Sequence, residues 1–142
     1  MAAAALCSTW LCAACYAQSV TIVNSGSTNA GGFQIVIEKS GNAEYTQRPR
    51  RIAPDKEETP KTVRKAVPES LTKALYDDVS AAHPLASLPS SGCMKSASFG
   101  TRLTVRFGED ESPDLSCGDG GNAKMRALIR DTNQIVKIFR EP

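Results

Sequence analysis

Aromatic residues and histidine are scarce in this chain of 142 residues. Aromatics make up 6% of it, the only tryptophan is Trp10 and the only histidine is His83. So few rings cannot build the stacking surface of a typical carbohydrate-binding module. The formal net charge is only +2, without the excess of basic residues that marks nucleic-acid-binding proteins. Composition therefore predicts no nucleic-acid partner.

Motifs that carry enzyme chemistry are missing as well. The sequence has no P-loop, no dinucleotide glycine pattern, no zinc-binding helix and no Gly-x-Ser-x-Gly nucleophile elbow. Ser70-Leu-Thr-Lys73 matches the Ser-x-x-Lys of penicillin-recognising enzymes, whose other two elements do not follow it. To act as a base, His83 would need a nucleophile and an orienting acid such as Asp77 or Asp78. We predict no catalytic residue and no cofactor; a hydrolase with an unfamiliar site is the alternative.

Basic residues are also absent from the N-terminus, because no Lys or Arg precedes Lys39. Residues 1–17 are uncharged and rich in Ala, which is typical of the apolar region of a signal peptide. Cys15 and Ala17 are the small residues that precede a cleavage site, so the mature chain would begin at Gln18. The run is shorter than the ~20 residues of a membrane span, so we predict no transmembrane span after processing. Acylation of Cys15, as in a lipoprotein, and an apolar N-terminal element of the fold are the alternatives.

Cysteine usage supports export independently. Three of the five cysteines lie in the predicted leader, which leaves Cys93 and Cys117 in the mature chain. In an oxidising compartment they would form one disulfide that closes a loop of about 25 residues and contributes about 3 kcal/mol. Metal ligation is the rival interpretation, but two cysteines and one distant histidine make a poor zinc site. We predict one domain over residues 18–142, secreted or periplasmic, with one disulfide.

The first part of the mature chain predicts three strands of an antiparallel meander. Apolar residues alternate with polar ones in two runs that a turn-forming segment separates, and a tight turn at 40–42 leads into a third run. The residues predicted to face the core are Val20, Ile22, Phe33, Ile35, Ile37, Ala43 and Tyr45.

Residues 47–65 form a basic stretch that contains three prolines. Seven basic and three acidic residues give it a net charge of +4. Such a segment cannot bury much surface, so we predict an exposed basic loop with a short edge strand near 62–67. Its charge would suit an anionic surface such as lipid headgroups or acidic polysaccharide; a solvated loop is the simpler interpretation.

Two amphipathic helices are predicted. Pro68 and Glu69 are typical of a helix N-terminus, apolar residues then recur at helical spacing to Ala82, and Pro84 ends the helix. Asn122 is a suitable cap for the last helix. The apolar stripe of that helix comprises Met125, Leu128, Ile129, Thr132, Ile135, Val136 and Phe139.

The longest alternating pattern runs from Ala97 to Phe107 and predicts an eleven-residue strand with Phe99, Leu103 and Val105 facing the core. Gly108 then opens an acidic loop. Carboxylates are suitable calcium ligands, but the spacing lacks the rhythm of a calcium-binding loop. Two interpretations of this loop remain, a cation-binding site and a charged loop without a ligand. Its five carboxylates are Glu109, Asp110, Glu111, Asp114 and Asp119.

All the apolar stripes are buried if two helices cover one face of a sheet. The predicted fold class is therefore α+β, with two layers, an antiparallel sheet of about four to five strands, two amphipathic helices on one face and one disulfide.

Four short motifs follow one another along the mature chain. They are Val20-Thr-Ile-Val-Asn-Ser-Gly-Ser-Thr-Asn29, Ser40-Gly-Asn-Ala-Glu-Tyr45, Cys93-Met-Lys-Ser-Ala-Ser-Phe-Gly-Thr101 and Ser112-Pro-Asp-Leu-Ser-Cys117. Their order resembles small exported bacterial proteins of no known activity. The resemblance spans most of the mature chain and implies an exported protein, but no site residue can be transferred from it.

The function predicted from the sequence is non-catalytic. We expect a secreted or periplasmic protein that binds a partner protein or serves the cell envelope. The second interpretation is an inhibitor of a secreted or periplasmic hydrolase that presents an exposed loop, such as 47–65, as bait.

Overall fold

The computed structural model describes residues 18–48, 59–90 and 92–141. The predicted leader, 1–17, and the middle of the predicted basic loop, 49–58, lie outside the described residues. The described strands and helices are, in chain order, β1 (Val20–Asn24), β2 (Phe33–Ile37), β3 (Asn42–Gln47), β4 (Thr62–Ala66), α1 (Glu69–Ala82), β5 (Leu103–Phe107), β6 (Asp110–Glu111) and α2 (Ala123–Arg140), with short 3-10 helices at Leu85–Ser87 and Leu115–Cys117.

The strands form one sheet in the order β4-β3-β2-β1-β5-β6, and every neighbouring pair is antiparallel. The predicted meander is confirmed as β1-β2-β3. Its register places Ile22 opposite Ile35, and Ile35 opposite Tyr45, while Val105 of β5 lies on the other side of Ile22. One face of the sheet is therefore an apolar row across four strands.

The sheet has six strands, more than the four to five predicted. The predicted edge strand within 62–67 is β4, so the C-terminal end of the 47–65 segment is part of the sheet. The unexpected strand is β6, which lies inside the predicted acidic loop. Gly108, with φ +61°, turns the chain within two residues so that Asp110 pairs with Phe107.

The predicted strand over 97–107 is too long. Only Leu103–Phe107 is strand, and residues 97–99 form a turn. Within β5 the predicted face is correct, since Val105 is fully buried and Leu103 packs against the core. The prediction that Phe99 faces the core is wrong, because its side chain is 69% exposed.

Both helices pack on the same core. Asn122 caps α2 by accepting a hydrogen bond from the N–H of Met125 at 3.0 Å, as predicted. The predicted stripe of α2 is buried or packed against the core, and the helix α1 contributes Leu75, Val79 and Ala82. Neither helix of the described residues has the length and hydrophobicity that a bilayer crossing requires.

A carboxylate pair lies between the helices, beside this core. Asp131 of α2 is 1% exposed and lies next to Asp78 of α1, while the Arg130 guanidinium contacts both, at 2.7 and 3.0 Å. Burial and a hydrogen bond to Asp131 raise the pKa of Asp78. No N–H or O–H donor reaches Asp131 Oδ2 in the described part of the chain.

Candidate functional site

The segment between the first 3-10 helix, Leu85–Ser87, and β5 carries two of the three exposed large hydrophobic residues of the described chain. We call residues 92–101 the 92–101 loop. Its residues 92–97 are exposed without interruption. Met94 is fully exposed, at 104%, and Phe99 is 69% exposed; among the described large hydrophobic residues only Val63, at 43%, is also exposed. Two large apolar side chains are thus held in water by a single loop.

A disulfide anchors the beginning of this loop. Cys93 is bonded to Cys117, with their Cα atoms 5.4 Å apart, which confirms the predicted pairing. Met94 follows the bridged cysteine directly. The backbone on its N-terminal side is therefore fixed to the 3-10 helix Leu115–Cys117.

Lys95, the residue after Met94, is anchored by its own side chain. The Lys95 ammonium lies 2.5 Å from Asp114 Oδ2 and also donates to the backbone oxygen of Thr101 and the hydroxyl of Ser116. The side chains of Lys95 and Asp114 are only 23% and 16% exposed, so this pair is largely shielded from water. Met94 consequently projects into solvent between two anchored neighbours.

Asp114 organises the base of the loop. Besides Lys95, it accepts hydrogen bonds from the N–H groups of Leu103 and Ser116, at 3.1 and 3.0 Å. Burial acts to raise the pKa of Asp114, but the hydrogen bonds from Lys95, Ser116 and Leu103 outweigh it and lower the pKa. The carboxylate is therefore ionised when it holds the loop.

The second half of the loop is joined to the turn after β1. The Ser98 carbonyl accepts hydrogen bonds from the Asn29 N–H at 3.1 Å and the Ser27 hydroxyl at 2.8 Å. Ser25 and Arg102 exchange two hydrogen bonds of 2.9 Å. These contacts continue the β1-β5 pairing beyond the strands, so the loop is braced along its whole C-terminal side.

Gly100 closes the turn inside the loop. Its N–H donates to the Ser96 carbonyl at 2.7 Å. A Cβ at position 100 would lie 2.5 Å from that carbonyl oxygen and 2.6 Å from the Cβ of Lys95. Only glycine fits, because two neighbouring parts of the loop approach its Cα too closely for any side chain.

His83 has a different carboxylate partner from those considered in the sequence. Its Nδ1 lies 2.8 Å from Asp110 Oδ2, while Asp110 also accepts hydrogen bonds from the N–H groups of Leu85 and Ala86 at 2.5 and 3.0 Å. Burial alone would raise the pKa of Asp110, but these hydrogen bonds lower it. The imidazole is oriented, yet no hydroxyl or thiol hydrogen-bonds to it among the described residues. The arrangement fastens the 3-10 helix Leu85–Ser87 to β6.

The Ser-x-x-Lys pattern lies on the exposed first turns of α1. Lys73 forms an ion pair with Asp77 in which both side chains are more than half exposed. A lysine that activates a serine is normally desolvated so that its amine loses the proton. Ser70 is itself exposed, and the pattern supplies no enclosed site.

The carboxylates of the predicted acidic loop point to separate partners. Glu111 pairs with Arg106 at 3.0 Å, Asp119 with Arg126 at 2.5 Å, and Asp110 and Asp114 have the partners already described. Within residues 18–48, 59–90 and 92–141, no three acidic, histidine or cysteine side chains are grouped so as to hold a metal ion.

Two described cations of the predicted basic segment, Arg64 and Lys65, are also engaged. Arg64 pairs with Glu44 at 2.7 Å across the β3-β4 ladder. Lys65 donates to the carbonyl groups of Ile138 and Glu141, at the C-terminal end of α2. These two residues therefore stabilise the edge of the sheet and a helix end rather than offering free charge.

Sequence periodicity does not reveal the 92–101 loop. The alternating pattern predicts a strand there, although Gly100 interrupts it and an apolar Met94 directly follows a bridged cysteine. Those two features are the signal that the sequence carries.

Neither a scan against protein-family models nor a search of curated proteins finds a match for the chain.

Proposed function

We propose that this chain is a non-catalytic protein, secreted or periplasmic, that binds a partner protein through the 92–101 loop. The observation that carries the proposal is the exposure of Met94 and Phe99 on a loop that is braced on both sides. Elsewhere in the described chain the apolar stripes are buried in one core.

A braced loop suits binding for an entropic reason. Ordering a flexible segment costs about 1–2 kcal/mol per residue, and a segment that is already ordered avoids most of that cost. The disulfide, the Lys95 anchor and the pairing of Ser98 with the 24–29 turn supply this order before any partner binds. Burial of Met94 and Phe99 would then contribute almost undiminished.

Export is part of the proposal. Structural disulfides persist in oxidising compartments, and the bridge between Cys93 and Cys117 is the feature that supports such a location. We expect protein recovered outside the cytoplasm to begin at Gln18. N-terminal sequencing tests this: an intact Met1 would contradict export by cleavage, and a lipid-modified Cys15 would favour an anchored form.

Site-specific photo-crosslinking in the producing cell tests the binding surface. A photoreactive residue is placed at Met94, at Phe99 or, as a matched control, at Val63, which is an exposed apolar residue on the edge strand β4. We expect one shared crosslinked species from positions 94 and 99 and none from position 63.

Two results would contradict the proposal. Crosslinks of equal yield from all three positions would indicate non-specific contact. Absence of any crosslink from positions 94 and 99, in protein whose disulfide is intact, would show that the loop has no partner.

A further inference from the structure

We infer that the 92–101 loop is a substrate-like inhibitory segment for a serine endopeptidase with an apolar primary-specificity pocket, and that Met94 enters that pocket. This inference rests on the proposed function, because it names the kind of partner that the same loop binds. It differs from the interpretation that placed a bait in residues 47–65.

An endopeptidase requires an exposed, irregular stretch of backbone with one side chain directed outwards. Residues 92–96 are neither helix nor strand, and all are exposed. Among the described residues, the backbone N–H and C=O of Met94 make no hydrogen bond, so both are available for strand-like pairing with an enzyme. The fully exposed Met94 side chain can enter a pocket without any movement of the fold.

The neighbouring lysine cannot take this role. Its ammonium is occupied by Asp114, Thr101 and Ser116 at the base of the loop. An enzyme with a carboxylate in its pocket, which selects cationic side chains, would have to break these contacts. Methionine is unbranched, flexible and polarizable, and it suits a deep apolar pocket. The structure therefore selects Met94 over Lys95 as the residue that is recognised.

The bond at risk is the peptide bond between Met94 and Lys95. In the forward step, the enzyme's serine Oγ bonds to the Met94 carbonyl carbon, the bond to the Lys95 nitrogen breaks, and the serine proton passes through the enzyme's histidine to that nitrogen. In the reverse step, the Lys95 amine attacks the acyl carbon, the ester bond to serine breaks, and the proton returns to the serine. No other reactant is needed.

The anchors on either side of this bond favour the reverse step. The new C-terminus at Met94 is one residue from Cys93, which remains bonded to Cys117. The new amine belongs to Lys95, whose side chain remains held by Asp114. Neither end can diffuse away, so the amine stays at high effective concentration beside the acyl group and rejoining competes with hydrolysis. A good substrate is thereby converted into an inhibitor.

Inhibition assays with chymotrypsin, subtilisin and trypsin test the inference, using the chain recovered after export. The wild type is expected to inhibit chymotrypsin or subtilisin. Met94→Asp should weaken this inhibition at least about a hundredfold, because it places a charge in an apolar pocket. Met94→Lys should exchange chymotrypsin inhibition for trypsin inhibition. The control Val63→Ser, an exposed residue of the edge strand β4 outside the 92–101 loop, should leave the inhibition constants unchanged. Met94 is fully exposed, so neither substitution of it should change the melting temperature.

The outcomes separate this inference from the proposed function. Three results would each overturn the inference. The wild type inhibits neither chymotrypsin nor subtilisin, Met94→Asp inhibits as strongly as the wild type, or the chain is hydrolysed rapidly after Met94 without inhibiting the enzyme. A crosslink from position 94 to a protein that is not a peptidase would overturn it while leaving the proposed function in place. Absence of both inhibition and crosslinks would refute the two together.

Discussion

Lys95 and Asp114 form an ion pair between residues 19 positions apart, with Nζ 2.5 Å from Oδ2. The pair joins an exposed loop to the start of a 3-10 helix, while the same carboxylate accepts the N–H of Leu103 at the beginning of β5. One partly buried carboxylate thereby fixes the geometry of a segment whose own residues are almost all exposed.

Loss of this pair is expected to destabilise the protein clearly. Lys95→Ala leaves Asp114 without its cation, and Asp114→Asn weakens the hydrogen bonds to Leu103 and Ser116, so each should cost about 1–3 kcal/mol in the free energy of unfolding. Lys73→Ala is the matched control, because its partner Asp77 lies on an exposed helix surface, and it should cost less than about 0.5 kcal/mol. Chemical denaturation measures all three. Similar costs for Lys95→Ala and Lys73→Ala would show that the pair does not brace the fold.

The carboxylate pair between the helices predicts a pH dependence of the opposite kind from an ordinary salt bridge. Burial, then the hydrogen bond to Asp131 and its charge, raise the pKa of Asp78 above its ordinary value of 3.8; Arg130 opposes this and Asp77 adds to it. The folded state therefore binds the proton more tightly than the unfolded state. Stability from this site is full below pH 3.8 and is lost as the pH rises through the raised pKa.

Asp78→Asn tests this sign. The neutral amide removes a charge beside the Asp131 carboxylate and can donate a hydrogen bond to it at every pH, so the variant should be at least as stable as the wild type at pH 7. Its advantage over the wild type should grow between about pH 4 and pH 7 in urea denaturation. Asp77→Asn, on the exposed side of the same helix, should follow the wild-type profile. If Asp78→Asn instead lowers the free energy of unfolding more at pH 7 than at pH 4, relative to the wild type, Asp78 is ionised in its bond to Arg130.

Much of the fold could be predicted from periodicity. The meander, both helices and the Asn122 cap follow from local alternation or helical spacing, because those patterns report directly on which face is buried. The two-residue strand β6 could not be predicted, since its pairing depends on the turn at Gly108 and on a partner strand. Phe99 matched the strand pattern, but the approach of Gly100 to Ser96 turns the chain before the sheet begins.

The site was less predictable than the fold. Alternation places a residue on a face only where the strand continues, and it is silent about a loop held by distant partners such as Asp114. The disulfide could be predicted because two cysteines allow a single pairing. That the disulfide braces the 92–101 loop could not be predicted, because the exposure of Met94 is a property of the assembled loop.

A matched pair of phenylalanines tests the corrected loop. Phe33 is 5% exposed and packs in the core, whereas Phe99 is 69% exposed. Phe33→Ala should cost about 3–5 kcal/mol in the free energy of unfolding, and Phe99→Ala should cost less than about 0.5 kcal/mol. Chemical denaturation of both variants measures the difference. Comparable losses would place Phe99 in the core and restore the eleven-residue strand.

The bond between Cys93 and Cys117 is expected to contribute to global stability and to loop order together. It closes a loop with a sequence separation of 24 residues, so its removal should cost about 3 kcal/mol on the chain-entropy model and lower the melting temperature by roughly 10 °C. The Cys93→Ser/Cys117→Ser double variant and the wild type with reductant should agree, as measured by calorimetry. Because the sheet and core do not include the bridge, both forms should stay folded at 25 °C, while the Met94–Lys95 bond becomes the first site of limited proteolysis. Mass spectrometry of unreduced protein from its natural compartment provides the control: two free thiols there would contradict the bridge and remove its support for export.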